Sequence, residues 1–481
     1  MKKKFTGIII IVCMLKFTAC DSFLDVYPTD RLIEEQVLNS ELAINSMLNG
    51  IYMSMASSSL YGATLTWTVV EALAQRWNLS NPSHPFRNFG TYSYEEREVQ
   101  AAFERIWTQM FAQILTVNEF IGIVHRANVP IPEERRNILL GEAHALRAFL
   151  HFDLLRLFGP IPSLADPNDL VMPYNNRRTE EVLPLLPANQ ILDSILADLY
   201  KAEEFLRNDP IITDGIVRAT TADPLHNFFL NRNYRMNFYA VKALQARVWL
   251  WAGNKPRALE AARAVIEAPL VAAGRLFYWL PQERILTPFN PDRVFSTEVI
   301  FGLDNRNMYV DYNRFFSPTL LRSVEFAPFD ERLRATFNND GNDFRFHTTW
   351  LEAGGDKDYR TFFKFAPPST HTTFRYFQPL IRISELYYII AESEPDPAVG
   401  LMYLNSVRRH RGLMDLTDPA LLRSAIREEY AREFWGEGQL FFYFKRNNVL
   451  FIPDGNTMSG YREINPESYR LPIPLSELRT R

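Results

Sequence analysis

Apolar residues return at helical spacing along much of the chain, and this periodicity limits the fold more than any other feature of the sequence. The clearest example runs from Leu139 to Leu157, where leucine and alanine side chains recur every three or four residues and form one stripe down a helix. Gly159 and Pro160 follow at once and end that helix. Such a stripe must be buried against other elements, so the chain is predicted to fold around packed helices.

A second region predicts two helices joined by a tight turn. One apolar helix face ends near Leu250, Gly253 makes the turn, and a second face follows over residues 258–266. Small side chains at Ala246 and Ala258 would let the two helices approach closely. This spacing is typical of a tetratricopeptide helix pair, in which small residues lie where the two helices cross.

Three long connections lie between the predicted helices, at about residues 77–93, 207–235 and 270–382, and they are dense in Asn, Pro, Asp and aromatic residues. Connections of this length are usually functional or contain short elements of their own. Strand signals are few, and Glu298 to Phe301 is the clearest. The predicted fold class is therefore all-α: one helical body with few short strands and with long irregular loops on one side.

The first residues have the layout of a secretory signal. Three lysines at positions 2–4 precede an apolar run from Ile8 to Leu15, and small residues lead to Cys20. The run is too short to span a membrane. A short buried helix at the start of a cytosolic domain is the alternative, but it does not explain three adjacent lysines.

The end of this signal, Phe17-Thr18-Ala19-Cys20, resembles a lipoprotein processing site. Residues 1–19 are predicted to be a cleaved signal peptide, with lipid attached to Cys20, and residues 20–481 to form a single domain. Cys13 and Cys20 are the only cysteines, so the mature chain would contain no internal disulfide. A free or intermolecular thiol at Cys20 is the alternative to lipid.

Sequence signatures of common catalytic and cofactor sites are absent. There is no phosphate-binding glycine loop, no His-Glu-x-x-His and no Cys-x-x-Cys, so no cofactor and no metal ion is predicted. His144 and His151 would lie two helical turns apart, about 10 Å, which is too far to share one ion. A formal net charge of −4 also argues against nucleic acid as a partner.

Glu433 and Glu437 are the best candidates for a catalytic carboxylate pair, because one helical turn would place them within the separation that glycosidases use. The same stretch also fits a charged helix face, since Glu428 and Arg432 are four residues apart and Glu429 and Arg432 are three apart. The second interpretation is preferred, and no catalytic residue is predicted.

Short sequence segments spread over nearly the whole chain resemble segments of one protein family, and they occur in the same order as in that family. They are Cys20 to Asp25, Glu142 to Phe149, Phe158 to Pro162, Ile195 to Leu199, Ala240 to Gly253, Ser296 to Phe301, Arg382 to Leu386, Leu404 to Arg408, Arg427 to Gly438, Lys445-Arg446 and Leu471 to Pro474. The chain is similar, through these pieces, to the SusD/RagB-like nutrient-binding outer-membrane lipoproteins of Bacteroidetes.

This resemblance implies a helical fold with tetratricopeptide-like pairs, anchored by lipid in the outer membrane and facing the cell exterior. It implies a protein that binds oligosaccharides without cleaving them and delivers them to a SusC-like TonB-dependent transporter. The family motifs are scaffold, so the ligand site is expected in the irregular loops.

An oligosaccharide binder needs exposed aromatic rings beside amide, carboxylate and guanidinium groups. Two loop segments interleave such residues, near positions 75–94 and 304–313, with a tryptophan farther on. The predicted ligand-binding residues are Trp77, Asn78, Phe86, Tyr92, Tyr94, Asn307, Tyr309, Tyr312 and Trp350. The alternative for any single ring is that it pins a long loop to the helical body.

Three other functions remain open at this stage. RagB-like members of the family bind peptides, and this sequence tolerates a peptide as well as a sugar. An exported helical glycosidase would use Glu433 and Glu437. A helical-repeat scaffold that binds only proteins would use the close helix crossing at Ala246, Ala258 and Ala262.

Overall fold

The computed structural model describes residues 37–179, 181–354 and 357–480. The predicted signal peptide and the lipidation site at Cys20 lie outside the described residues, and both stay predictions. The division into residues 1–19 and a single domain over residues 20–481 also stays a prediction.

Helices dominate the described structure, and the all-α prediction is confirmed. The helices of eight or more residues are α1 (Glu41–Met55), α2 (Arg97–Arg126), α3 (Glu133–Phe158), α4 (Ala188–Phe205), α5 (Phe238–Trp251), α6 (Lys255–Ile266), α7 (Met308–Phe315), α8 (Ile383–Ser393), α9 (Pro397–Arg409), α10 (Leu422–Glu433) and α11 (Gln439–Arg446). Shorter helices occupy Val69–Leu73, Arg87–Gly90, Ile211–Asp214, Pro224–Asn227, Pro269–Ala272, Gln282–Ile285, Asp330–Thr336, Phe344–Thr349 and Leu475–Thr480.

The predicted helix pair is present as α5 and α6. Asn237 and Asn254 cap their N-termini through side-chain oxygens that accept backbone N–H groups. Gly253 makes the turn with φ +77°, a left-handed conformation that suits glycine. Ala246 and Ala258 are fully buried, as the close crossing of two helices requires.

Helix α3 is buried on all sides from Ile138 onward and packs between α2 and α4. Its histidines have internal partners: His144 Nδ1 lies 2.8 Å from Asp198, and His151 Nε2 accepts a hydrogen bond from the Asn175 backbone at 3.0 Å. Arg147 donates to the Asn176 carbonyl at 2.9 Å and so anchors neighbouring backbone. These residues are scaffold, as the sequence predicts.

The strands are short and pair in two-stranded antiparallel sheets. They are β1 (Leu170–Met172), β2 (Leu186–Pro187), β3 (Val299–Asp304), β4 (Trp350–Glu352), β5 (Arg360–Phe362), β6 (Phe377–Arg382), β7 (Phe451–Pro453) and β8 (Tyr461–Glu463). β3 and β6 form the longest pair, in which Val299 faces Arg382 and Asp304 faces Phe377. Much of the predicted connection 270–382 is therefore built from short helices and strands.

The main apolar core draws on residues from Ile44 to Leu471. Within it lies a buried ion-pair cluster, made of Glu298, Arg345, Arg382, Arg411, Glu433 and Glu437. Arg411 Nη2 lies 2.6 Å from carboxylate oxygens of both Glu298 and Glu433, and Arg382 Nη2 lies 2.9 Å from Glu437. Buried charges require such partners, so these side chains tie α10 to the β3–β6 sheet.

None of the helices described over residues 37–179, 181–354 and 357–480 combines the length and apolar character that crossing a membrane requires.

Candidate functional site

Trp77 and Trp350 lie in the interior, where they form an aromatic cluster with Phe362 and Trp435. Their rings are 1% and 2% exposed, and their centroids are 6.3 Å apart. The centroid of Trp435 lies 5.8 Å from that of Trp77 and 4.6 Å from that of Trp350. The Trp77 indole N–H donates to the Trp67 carbonyl at 2.9 Å. The prediction that these two rings offer open faces to a ligand is wrong, because apolar packing holds them inside.

Four further predicted rings pin loops to the body. Tyr312 is only 3% exposed, so its placement as a ligand platform is also wrong. Phe86 is half-buried against Phe326, with centroids 4.9 Å apart. The Tyr92 hydroxyl donates to the Leu73 carbonyl at 2.7 Å, and the Tyr94 hydroxyl donates to the Ser468 carbonyl. These rings are therefore buried, packed or hydrogen-bonded within the protein. This is the alternative role predicted from the sequence for any single ring.

The two predicted asparagines serve local turns. The side chain of Asn78 accepts from the backbone N–H of Ser80 at 3.1 Å, and its backbone N–H donates to the Ala327 carbonyl at 2.9 Å. Asn307 is exposed at the start of α7, where its carbonyl accepts from Asp311 N–H at 3.0 Å. Neither side chain lines the cleft that opens beside α1 and the β3–β6 sheet.

That cleft has a volume of about 510 Å³ and opens among α1, the connection after α4 and the outer end of the β3–β6 sheet. It is lined by Asn49, Tyr52, Met53, Arg218, Asn227, Phe228, Leu230, Asn231, Tyr234, Arg235, Asp304, Arg306, Thr373 and Arg375. Two of the three predicted loop regions, 207–235 and 270–382, contribute all of these residues except Asn49, Tyr52 and Met53, which lie on α1. The cleft combines aromatic faces with amide and guanidinium groups, which is the composition expected of an oligosaccharide site.

The β3–β6 pairing places one wall of the cleft. Asp304 ends β3 opposite Phe377, and beyond them Asn305 N–H donates to the Tyr376 carbonyl at 2.8 Å. Tyr376 holds a left-handed φ of +64°, which is uncommon for a bulky residue. The chain therefore turns sharply here, and the flanking Arg306 and Arg375 both reach the cleft.

A buried arginine fixes the opposite wall. Arg232 is 1% exposed, lies 2.6 Å from Asp209 and also pairs with Glu142 on α3. Two residues later, the Tyr234 ring lies against Phe377 with centroids 4.2 Å apart, so this wall is joined to the end of β6. Both walls are thus held by packed elements, although they come from loops.

Tyrosine rings hold the cleft arginines in position. The Arg306 and Arg375 guanidinium carbons lie 5.0 Å and 4.9 Å from the centroid of Tyr376. Tyr309 packs on Tyr376 at 4.7 Å, and its hydroxyl accepts the Tyr376 N–H at 3.3 Å. Of the predicted ligand residues, Tyr309 is the one next to the cleft, behind the arginines rather than in the lining.

Local charges act on the Tyr234 hydroxyl. Burial and the Asp304 carboxylate raise the pKa of Tyr234, and Arg218 and Arg306 partly oppose them. The hydroxyl therefore stays protonated at neutral pH, and it can both donate and accept a hydrogen bond.

Sequence reasoning missed Arg218, Tyr234, Arg375 and Tyr376. The signal in the sequence was alternation of arginine with tyrosine or asparagine, at residues 231–235 and again at Arg375-Tyr376. Hydrogen-bonding residues beside a ring are a feature of sugar sites, but only the sheet pairing brings these two segments together.

The paired carboxylates Glu433 and Glu437 are 1% and 3% exposed and belong to the buried ion-pair cluster. Burial opposes the charge on Glu433, but Arg411 and Arg382 hold its pKa well below the usual value, so it would not donate a proton near neutral pH. Within residues 37–179, 181–354 and 357–480, no group of His, Cys, Asp and Glu side chains is arranged to hold a metal ion.

Two family models match the chain. Residues 22–221 match a SusD-like model described as "Starch-binding associating with outer membrane", and residues 359–480 match the model of the SusD family.

Curated relatives agree with these matches. SusD-like protein P2 of Formosa agariphila is 25% identical over 46% of this chain, and this chain spans 42% of its length. SusD-like protein P25 of the same organism is 21% identical over 98% of this chain and 96% of its own length.

Solved structures share the fold. A SusD superfamily protein from Bacteroides thetaiotaomicron aligns with a TM-score of 0.71 at 20% identity, covering 91% of this chain and 97% of that one. A protein described as a laminarin-binding SusD-like protein aligns with a TM-score of 0.66 at 19% identity, covering 92% and 98%. The two matched segments and a relative aligned along nearly its whole length show that the chain is a SusD/RagB-like protein, and the solved structures share its fold.

Proposed function

We propose that this protein binds nutrient oligosaccharides in the cleft between Tyr234 and Arg375 and takes part in their uptake. The observation that carries the proposal is the cleft itself, where tyrosine and phenylalanine faces lie beside exposed amide and guanidinium groups. Sugars present C–H faces and hydroxyls, and such groups match both features. Similarity of residues 22–221 to a family model described as starch-binding, and of the fold to a solved structure described as laminarin-binding, supports this class of ligand.

The proposed role is binding without catalysis. The carboxylate pair that a glycosidase would need is buried and occupied by arginine and lysine partners. A general acid must reach the leaving-group oxygen, and neither Glu433 nor Glu437 faces the cleft.

The protein would act outside the outer membrane, attached through lipid on Cys20, and pass its ligand to a SusC-like TonB-dependent transporter. The description of the first family model, which includes association with the outer membrane, supports this location. Co-purification of a TonB-dependent transporter with the tagged protein from its host would test the partnership. Transporter-free protein in that experiment would contradict it.

Binding in the cleft is tested by filling it. Thr373 is exposed in the lining, so Thr373→Trp adds bulk without removing a packed group. We expect this variant to lose oligosaccharide binding in calorimetry against a panel of glycans and peptides. Thr319→Trp, at an exposed position outside the lining, is the control and should bind normally. Normal binding by Thr373→Trp would place the site elsewhere, and binding of peptides alone would replace the sugar proposal.

Lipid attachment is tested separately with Cys20→Ala. The protein should leave the membrane fraction of its host when this thiol is removed, because no other anchor is proposed. If the variant still partitions with membranes, the proposed anchorage is wrong.

A further inference from the structure

The cleft is positively charged, although the chain as a whole is acidic. Four arginines line it, namely Arg218, Arg235, Arg306 and Arg375, against one carboxylate, Asp304. The formal net charge of the chain is −4. The largest other cavity, of about 760 Å³ beside α8 and α11, has a more even balance, with Lys255, Arg423 and Arg446 against Glu392 and Glu394. Positive charge is thus concentrated at the proposed ligand site.

Two of the four arginines have protein partners that account for their charge. Arg235 is buried, lies 3.5 Å from Glu142 and packs on the ring of Phe228 at 4.0 Å. Arg306 lies 2.6 Å from Asp304, in an exposed pair. An exposed pair of this kind is weak and can be exchanged for a ligand.

The other two arginines face the cleft without a carboxylate. Arg218 donates to the side-chain oxygen of Asn231 at 3.1 Å, and Arg375 lies over the rings of Tyr376 and Tyr309. Among the ion pairs of the described residues, neither Arg218 nor Arg375 has a carboxylate partner, and their contacts are with Asn231 and the two tyrosine rings. By contrast, every arginine of the buried ion-pair cluster contacts at least one carboxylate.

Arg375 and Arg306 also converge. Both guanidinium carbons lie about 5 Å from the centroid of the Tyr376 ring. Asp304 compensates the charge of Arg306, so Arg375 adds a second positive charge beside this ring without a carboxylate of its own. The tyrosine contacts reduce the freedom of both side chains and leave their N–H groups available for bidentate hydrogen bonds.

A neutral oligosaccharide would leave these guanidiniums without a charge partner. A carboxylate is planar and a sulfate is tetrahedral, and each presents a pair of oxygen acceptors that arginine can bind through two parallel hydrogen bonds. We propose that the cleft selects anionic oligosaccharides, whose carboxylate or sulfate groups bind Arg218 and Arg375 while their sugar faces contact Tyr234. This inference rests on the proposed function and narrows its ligand class.

The test compares three hexasaccharides on the purified full chain by calorimetry: hexagalacturonic acid, a sulfated carrageenan hexasaccharide and neutral laminarihexaose. We expect at least one anionic probe to bind roughly tenfold or more tightly than the neutral one, because hydrogen bonds between charged groups are stronger than neutral ones. We expect this advantage to fall as salt is added. The two anionic probes distinguish carboxylate from sulfate as the recognised group.

Two variants assign the effect to the cleft. Arg375→Gln and Arg218→Gln should each weaken binding of the preferred anionic probe by roughly tenfold and weaken laminarihexaose binding much less, so that the preference for the anionic probe falls. Arg257→Gln is the matched control, since Arg257 is an exposed arginine on α6 whose partner is Glu260 at 3.0 Å. It should not alter binding of any probe.

A third variant should improve binding. Asp304→Asn removes the one carboxylate in the lining and frees Arg306, so affinity for the anionic probe should rise severalfold. Damage to the fold would not produce such a gain. Equal affinity for neutral and anionic probes, or no effect of Arg375→Gln and Arg218→Gln, would overturn the anionic preference and leave the proposed function intact. No binding of any hexasaccharide would overturn the proposed function itself.

Discussion

Arginines in the buried ion-pair cluster and in the cleft have opposite surroundings. Arg382 and Arg411 are fully buried and each contacts two or more carboxylates. Arg218 and Arg375 are exposed and contact an amide and two rings. A buried charge requires an oppositely charged partner within the protein, because it has lost its contact with water. A charge exposed at a cleft remains hydrated, so its partner can be supplied by the ligand. The difference separates arginines that stabilise from arginines that bind.

The same contrast holds for the rings. Trp77 and Trp350 are buried among other rings, and the Trp77 indole N–H donates to a backbone carbonyl. Tyr234 keeps one face on Phe377 and remains half-exposed in the cleft. The larger rings therefore serve the fold, and smaller tyrosines provide the candidate contacts.

The largest effect is expected where a charge partner is removed from the buried cluster. Glu433→Gln would leave Arg345, Arg382 and Arg411 with less compensation in a buried site. We expect the free energy of unfolding to fall by about 3 to 5 kcal/mol, measured by urea denaturation. Glu260→Gln, in an exposed pair, is the control and should change it far less. Equal losses in the two variants would mean that burial does not distinguish these pairs.

Trp77→Ala should produce a loss of similar size by a different mechanism, since it leaves a cavity among Trp350, Phe362 and Trp435. We expect the free energy of unfolding to fall by about 3 to 5 kcal/mol. Ligand affinity of the folded fraction should not change, because this ring does not line the cleft. Phe289→Ala, at a ring that is 80% exposed, is the control for stability. If Trp77→Ala weakened ligand binding without changing stability, Trp77 would belong to the ligand site.

Glu71 is a buried carboxylate outside the ion-pair cluster, and it should make stability depend on pH in the opposite direction to Glu433. Burial raises the pKa of Glu71 to about 7, although Arg76 lies 3.4 Å away and two backbone N–H groups donate to Glu71. The folded state favours the neutral form of Glu71. The contribution of this side chain to the stability of the fold is therefore complete below pH 4.5 and is lost as the pH rises through 7.

Glu71→Gln stays neutral at every pH, and its amide oxygen can still accept from Gly436 and Gly438. The unfolding free energy of this variant relative to wild type should therefore rise between pH 4.5 and 7, by about 1 to 3 kcal/mol. Urea denaturation at a series of pH values measures the difference. For Glu433, whose pKa is lowered, stability should instead be lost as the pH falls. A flat difference for Glu71→Gln would show that its carboxylate is charged in the fold.

Local pattern was enough to predict much of the helical fold. The stripe from Leu139 to Leu157, the turn at Gly253 and the small residues at Ala246 and Ala258 each describe contacts between neighbours in sequence, and each has its predicted role. The short strands within 270–382 were mostly missed, because a two-stranded pair such as β3–β6 joins residues about 80 positions apart.

The site was harder to predict because ring and amide composition does not say which way a side chain faces. Trp77 and Tyr234 both follow a polar residue and precede another in irregular sequence, yet one is buried and the other lines the cleft. Burial depends on which distant segments meet, and only the pairing of Asp304 with Phe377 brings Arg306 and Arg375 together.

A smaller effect is expected at Tyr234, and it tests whether this ring contacts the ligand. Tyr234→Ala should weaken oligosaccharide affinity by about 0.5 to 1.5 kcal/mol beyond the lost contact area, the usual contribution of one aromatic contact. Calorimetry with the tightest-binding glycan of the panel measures it. Tyr200→Ala on α4, where the ring is 47% exposed and outside the cleft, is the matched control. If both variants lost the same amount of glycan affinity, Tyr234 would not be a ligand contact.

The smallest effect is expected at Tyr309, which the structure places behind Arg375 rather than against the ligand. Tyr309→Ala removes a ring 5.7 Å from the Arg375 guanidinium carbon, so the arginine loses part of its support and affinity for an anionic glycan should fall by about 0.5 to 1 kcal/mol. Tyr309→Phe keeps the ring and removes only the hydroxyl that accepts the Tyr376 N–H at 3.3 Å. It should restore affinity, even if stability falls slightly. Equal losses in both variants would show that the hydroxyl, and not the ring, is what supports Arg375.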